Sequence, residues 1–225
     1  MDKKIMGNGK IDVVLFDFGG VIAEEGFRNG LKVIAKANGL DENEFIQVAF
    51  DVNYSTGYIL GKASEEVFWS ELKEKTGVKG DNAALKAEFL SRFVLRGWMI
   101  DLVKKLKSEN IIVGILSDQT DMIDRLNERL DFYRWFDHIF NSYYLGKGKR
   151  DITLFDDIVH TLKTKPDRML FIDDDPGHVD RARQKGWKAI HYVDRESFVK
   201  DFEKIMPPFF LSQIKGLKDP KAGSM

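Results

Sequence analysis

The chain contains no cysteine among its 225 residues. That absence excludes a thiol nucleophile, a thiolate zinc site and any disulfide. Charge of one sign is not in excess either: 35 Lys and Arg face 36 Asp and Glu, for a formal net charge of −1. So even a balance excludes nucleic acid or an anionic membrane surface as the main partner, since both are held through excess positive charge. No run of like charge is long enough to form a tail. No apolar stretch approaches the roughly 20 residues of a membrane helix. Met1-Asp2-Lys3-Lys4 leads into nothing resembling a signal peptide. Internal repeats and low-complexity segments are missing as well. The expectation is a cytoplasmic protein with neither a nucleic-acid nor a membrane partner; oligomeric state is not legible.

What is present is 43% hydrophobic residues, enough for a sizeable core. Residues 11–23, reading I-D-V-V-L-F-D-F-G-G-V-I-A, organise the rest. Val13, Val14, Leu15 and Phe16 form an unbroken apolar run, the pattern of a strand buried on both faces of a parallel sheet. Asp17 follows at once. A carboxylate at the carboxyl end of such a strand stands where open α/β sheets bind ligands. Gly19 and Gly20 supply a turn whose backbone N–H groups can converge on an anion. Taken alone, the same residues also suit a plain strand end and chain reversal.

Residues 1–10 read as a loose arm. From 24 to 95 the pattern is helical. Phe27, Leu31 and Ile34 recur before Gly39; Phe45, Ile46 and Ala49 follow Asp41; Ser64 opens a helix carrying Val67, Phe68 and Leu72; Asp81 opens a fourth, through Leu85, Phe89 and Phe93. Residues 54–62, with Gly57 and Gly61, read as a loop. Tyr58, Phe68 and Trp69 read as core of a small bundle. Beyond Gly97, strands at 111–116, 138–140, 169–172 and 188–193 alternate with helices, which predicts a parallel sheet covered on both faces. The expected class is therefore α/β: a Rossmann-like core, residues 1–23 and 96–207, interrupted after its first strand by a four-helix cap, residues 24–95, and followed by a tail, 208–225.

Three of these strands end in polar groups: Asp17, Ser117, and Asp173 with Asp174. A parallel sheet brings such ends to one edge. Crowded carboxylates repel unless a cation joins them. An oxygen-only donor set favours a hard divalent ion, Mg2+ first, and such a site commonly handles a phosphate too. The Phe18, Gly19 and Gly20 backbone, the Ser117 hydroxyl and one lysine, Lys147 or Lys149, would complete a phosphoryl site. The four histidines, His138, His160, His178 and His191, are scattered and suit packing or surface roles, His178 lying nearest the acidic end. Glu24 and Glu25 read as solvated residues at the entry to the cap.

The segments L-F-D-F-G-G-V-I, I-L-S-D, L-G-K-G-K-R-D and F-I-D-D-D-P, in that order and spacing, resemble the four motifs of the haloacid dehalogenase-like hydrolases. The resemblance covers nearly the whole chain. It looks like the branch containing sugar-1-phosphate phosphatases and the amino-terminal phosphatase domain of soluble epoxide hydrolases, down to G-K-A-S-E-E-V-F-W in the cap. It implies a Mg2+-dependent phosphatase acting on a small phosphorylated metabolite. Asp17 would be the nucleophile that becomes a phospho-aspartate, Ser117 a donor to the phosphoryl oxygens, and Lys149 the cation that steadies Asp17. Asp17, Asp173, Asp174 and the Gly19 carbonyl would hold Mg2+. Phe18, Gly19, Gly20, Ser117, Asp118 and Lys149 would bind the phosphate.

The chain departs from the family pattern in three places. Most phosphatases of this family carry an acid–base aspartate two residues after the nucleophile. Here that residue is Gly19, so a backbone ligand survives and a side-chain acid does not; a water, Glu24 or Glu25 has to substitute. Asp118 stands where relatives often have asparagine, and Arg150 where proline usually follows the lysine. Two other readings remain open. One is a family member that binds a phosphorylated ligand or a protein partner without turnover, which Gly19 and Asp118 favour. The other is a 2-haloacid dehalogenase, which Asp173-Asp174 disfavours, because those relatives work without metal and lack that acid pair.

Overall fold

β1 (Val13–Phe16) lies at the centre of a five-stranded parallel sheet, all four of its residues fully buried. The computed structural model describes residues 10–207 and 210; the expected amino-terminal arm, Lys10 apart, and nearly all of the expected tail fall outside the described residues. β2 (Ile112–Ser117), β3 (His138–Asn141), β4 (Met169–Asp173) and β5 (Lys188–His191) complete the sheet in the order β3-β2-β1-β4-β5. Alternation along β1 serves two apolar layers. Val14 and Phe16 pack with residues of α5 (Gly97–Ser108), α6 (Met122–Leu130) and α10 (Arg195–Ile205). Val13 and Leu15 pack with Leu154, Phe155 and Ile158 of α8 (Thr153–Thr161) and with Val179 and Ala182 of α9 (Pro176–Gln184). The continuous apolar run is thus a consequence of two covered faces.

Register does the positioning. Phe16 stands opposite Ile115 on one side and Ile172 on the other. One step on, Asp17 reaches the sheet edge between the end of β2 at Ser117 and the end of β4 at Asp173. β1 is central and the chain crosses to opposite sides of it, so this edge is also the place where the strand order reverses, the usual ligand crevice of such sheets.

Between β1 and α5 the chain forms α1 (Gly26–Asn38), α2 (Glu42–Ser55), α3 (Glu65–Thr76) and α4 (Asn82–Ser91) around their own apolar cluster, which includes Leu31, Phe45, Phe68, Trp69, Leu72 and Phe89. Asp41 and Asp81 accept backbone N–H groups of Glu44 and Ala84 and so start α2 and α4. Gly39, in the left-handed region, ends α1. Two elements differ from the sequence-based expectation. α2 continues to Ser55 because Val52 and Asn53 extend its buried stripe, so Tyr54 is helical. After β3 a single turn, α7 (Ser142–Leu145), forms where the Asn141 side chain accepts the Tyr143 N–H.

α1 and α4 touch at Gly30, where an added Cβ would stand 2.2 Å from the Phe89 Cβ. Gly30→Ala therefore has to push the two helices apart. We expect it to cost about 1–3 kcal/mol, the usual range for overpacking, read as a lower urea midpoint. An unchanged midpoint would show that the bundle yields there freely.

Candidate active site

Three strand ends and one loop converge on Asp17. Its Oδ1 accepts the Phe18 N–H at 2.8 Å and the Ser117 hydroxyl at 2.5 Å, and lies 3.1 Å from Lys149 Nζ. Lys149 arrives on the loop between α7 and α8; it is 1% exposed, and its Nζ donates to Asp173 Oδ2 at 2.6 Å. Asp173 is wholly buried, its other oxygen accepting the Asp175 N–H at 2.7 Å. One oxygen from each of Asp17, Asp173 and Asp174 lies within 4.8 Å of the others.

Three carboxylates thus crowd around one ammonium. Burial raises the Asp17 pKa in spite of Lys149. Burial also works against the Asp173 carboxylate, but Lys149 and His178 outweigh it and draw the group down to about 2. Asp174 is left with the deficit: burial first, then the charges of Asp17 and Asp173, push it up to about 7. Lys149 pays a burial penalty of its own, yet Asp17, Asp173 and Asp118 hold it well above the ordinary lysine range. Carboxylate oxygens at this spacing, three around a single ammonium and so two positive charges too few, fit a hard divalent cation.

The turn after Asp17 is shaped around this cluster. Gly20 has φ +80°, and a Cβ there would stand 2.2 Å from Asp174 Oδ2, so a side chain is excluded twice over. Arg96, at the start of α5, donates Nη1 to the carbonyls of Gly20 and Val21 and pairs with Glu24 at 3.0 Å. The Phe18 N–H, expected to face a phosphate, is instead committed to Asp17.

Asp118 also differs from expectation. Its Oδ1 accepts the Lys149 N–H at 2.9 Å and its Oδ2 accepts the Tyr54 hydroxyl at 3.0 Å, so its charge is spent holding the lysine loop to α2. The Arg150 guanidinium lies 3.5 Å from the Tyr54 ring centroid. Of the two candidate lysines only Lys149 reaches the site; Lys147 pairs with Asp157 and Thr153. His178 Nδ1 stands 3.4 Å from Asp173 Oδ2 and lacks a hydrogen-bond partner among the described residues. His191 contacts the Asp174 carbonyl at 3.0 Å, His138 stacks on Phe140, and His160 is exposed.

Glu24 and Glu25, alike in sequence, part company. Glu24 is exposed, whereas Glu25 is partly buried in the wall of a cavity of about 390 Å³ that also includes Asp17, Gly19, Asn53, Lys149 and Asp174. Sequence reasoning missed Tyr54, Arg96 and Asn53. Tyr54 falls in a segment whose glycines read as a loop, and nothing in the local pattern marks the other two.

The family model described as haloacid dehalogenase-like hydrolase matches residues 11–184. Bifunctional epoxide hydrolase 2 of Rattus norvegicus is 24% identical over 215 residues, covering 86% of this chain and 38% of that protein; the chain thus spans well under half of this relative's length. A predicted haloacid dehalogenase-like hydrolase from Porphyromonas gingivalis superposes with a TM-score of 0.71 at 22% identity, covering 88% of this chain and 98% of its own. An enzyme of the same family from Bacteroides thetaiotaomicron, crystallised with magnesium and inorganic phosphate, superposes with a TM-score of 0.63 at 21% identity, covering 82% and 94%.

The charge imbalance is testable without any substrate. Lys149→Met strands buried carboxylates and should cost about 3–5 kcal/mol. Asp174→Asn should act oppositely, raising stability in EDTA at pH 8 by roughly 1–3 kcal/mol. Because the folded pKa of Asp174 is raised, the ionisation penalty is present above pH 7 and fades as pH falls, so the gain should shrink at pH 5. Thermal unfolding at both pH values measures this. A gain independent of pH would remove charge crowding as its cause.

Proposed function

The chain belongs to the haloacid dehalogenase-like hydrolase family, and we propose that it is a Mg2+-dependent phosphomonoester hydrolase acting on a small phosphorylated metabolite through a phospho-aspartate. One observation carries this: the Asp17 carboxylate, in the wall of a cavity, is gripped by Ser117 and Lys149 while Asp173 and Asp174 close an oxygen donor set beside it.

In this reading the three donors that meet on Asp17 Oδ1 fix the carboxylate's rotation, so the substrate meets a nucleophile already oriented. Asp17 attacks phosphorus and the bond to the leaving oxygen breaks. Ser117 and the N–H groups of Gly19 and Gly20 bind the phosphoryl oxygens. Lys149 Nζ offsets the charge that develops on them. Asp118 positions Lys149 through its backbone and does not itself touch phosphate. Asp17, Asp173, Asp174 and the Gly19 carbonyl would hold Mg2+, which when bound supplies positive charge to the transferring group. Water then releases phosphate from Asp17. Residues 24–95 serve as the cap that encloses the substrate, and residues 1–23 and 96–207 as the core. Among the described residues no helix is long and apolar enough to cross a membrane; with the small-metabolite substrate and the absence of cysteine, a cytoplasmic site of action completes the proposal.

A second reading has a specific observation behind it. Gly19 removes the usual side-chain acid, which favours binding of a phosphorylated ligand without turnover. Phosphate release from p-nitrophenyl phosphate with Mg2+ separates the two, and metal-independent halide release from a 2-haloacid would point instead to a dehalogenase.

Asp17→Asn should abolish phosphate release, with the circular dichroism spectrum unchanged; retained turnover would exclude the phospho-aspartate route. Calorimetric titration of Mg2+ should show binding by wild type and none, or far weaker, by Asp174→Ala. Equal binding by both proteins would sink the metal assignment.

A further inference from the structure

Position 19 has no side chain, and the proposed reaction needs a proton donor for the leaving oxygen. We infer that Glu25 is that donor: its carboxyl, held at the cavity by its place as the N-cap of α1, takes the place of a side chain at position 19 and acts as general acid and then general base. The inference rests on the phosphomonoesterase reading above and adds to it the residue that moves the proton.

The geometry is specific. A Cβ built on Gly19 would have Glu25 Oε1 at 3.7 Å, with Gln119 Nε2 and Phe93 Cε1 at 3.6 Å. Glu25 and Asp17 line the same cavity. The two oxygens of Glu25 are not equivalent. Oε2 accepts the Arg28 N–H at 2.8 Å, capping α1, which pins the carboxyl and leaves Oε1, the oxygen on the Gly19 side, to carry a proton. Burial raises the acid's pKa, and the Arg28 N–H and then its charge only partly oppose it. The adjacent Glu24 is exposed and tied to Arg96, so it does not compete. The site's other carboxyls are engaged: Asp17 as nucleophile, Asp173 with Lys149, Asp174 in the donor set, Asp118 between Lys149 and Tyr54, and Asp175 with the His178 N–H at the start of α9.

The steps balance. As Asp17 bonds to phosphorus and the ester P–O bond breaks, Glu25 Oε1 gives its proton to the leaving oxygen, and the alcohol departs neutral. The Glu25 carboxylate then takes a proton from the water that attacks the phospho-aspartate. The P–O bond to Asp17 breaks, inorganic phosphate forms, and Glu25 is again protonated. Wild type should then show a shallow dependence on leaving-group pKa, in place of the steep one expected from the empty position 19 alone.

The test compares wild type, Glu25→Gln, Glu24→Gln and His178→Asn with Mg2+ on an alkyl phosphate and on p-nitrophenyl phosphate. Gln keeps an oxygen for the Arg28 cap, so the fold is preserved; circular dichroism and Mg2+ calorimetry verify that. Glu25→Gln should lose roughly 10²–10⁴-fold in kcat/KM on the alkyl ester, yet keep kcat/KM on the aryl ester, whose leaving group needs no proton. It should also show a burst of nitrophenolate, because the second step lacks its base. Glu24→Gln should match wild type. The double variant Gly19→Asp with Glu25→Gln should recover alkyl turnover, since a Cβ at position 19 meets only ordinary contacts. Unchanged alkyl turnover in Glu25→Gln, equal losses on both esters, or the same selective loss in His178→Asn would each overturn the assignment. A wild type that releases phosphate from neither ester would overturn the phosphomonoesterase reading itself, and Glu25's role with it.

Discussion

The Lys149 ammonium, 1% exposed and set between Asp17 and Asp173, is the interaction on which the rest of the site depends. Such a group is expensive: each buried ion gives up several kcal/mol of hydration, and the pair recovers it only with close geometry and further hydrogen bonds. The further bonds are present. Ser117 and the Phe18 N–H complete Asp17, the Asp175 N–H completes Asp173, and Asp118 holds the Lys149 backbone. A stabilising core would replace this cluster by hydrocarbon. Keeping it fixes one carboxylate at one rotation beside a cavity, which the nucleophilic role proposed for Asp17 requires and a structural salt bridge does not.

The same cluster explains why neighbouring residues are what they are. With two acids matched to one lysine, a third acid is in surplus, and Asp174 is the one that sits toward the cavity. The turn that approaches it has to be free of side chains, hence Gly20. The carbonyls of that turn would otherwise lie near several carboxylates, and Arg96 reaches from α5 to take two of them. The charge problem at the sheet edge therefore propagates outward through the loop to the base of the helical bundle.

This order of dependence also decides what was legible in the sequence. Asp17, Ser117, Asp173 and Asp174 follow unbroken apolar runs, and a parallel sheet with fixed register converts strand end into position; the α/β class and these four residues could be read for that reason. From strand and helix periods alone Lys149 is one of two candidate lysines, because it stands on an irregular loop held by Asp118 and not by any period; the motif resemblance is what singles it out. Glu25 is legible in the sequence only as one of several substitutes for a side chain at position 19, and its partial burial is not legible at all. It belongs to a helix start, where a carboxyl is ordinarily a solvated cap, and only the folded structure shows that Oε1 of this cap stands beside position 19 together with Phe93 and Gln119. Tyr54 was lost because a loop was expected where α2 continues.

Tyr54 also shows how the bundle and the sheet are joined. Its hydroxyl donates to Asp118, whose other oxygen holds the Lys149 backbone. Four residues on, Tyr58 donates to Asp121 at 2.6 Å, and the Ser142 hydroxyl donates to the Ile59 carbonyl at 2.7 Å. Both tyrosine hydroxyls are held as neutral donors, because burial and the adjacent carboxylates push their pKa values upward. Any motion that lifts α2 from the sheet edge must therefore break the Tyr54 bond to the very carboxylate that seats the lysine loop. Access to the cavity and the placement of Lys149 are not independent quantities in this fold: one aspartate is shared between them.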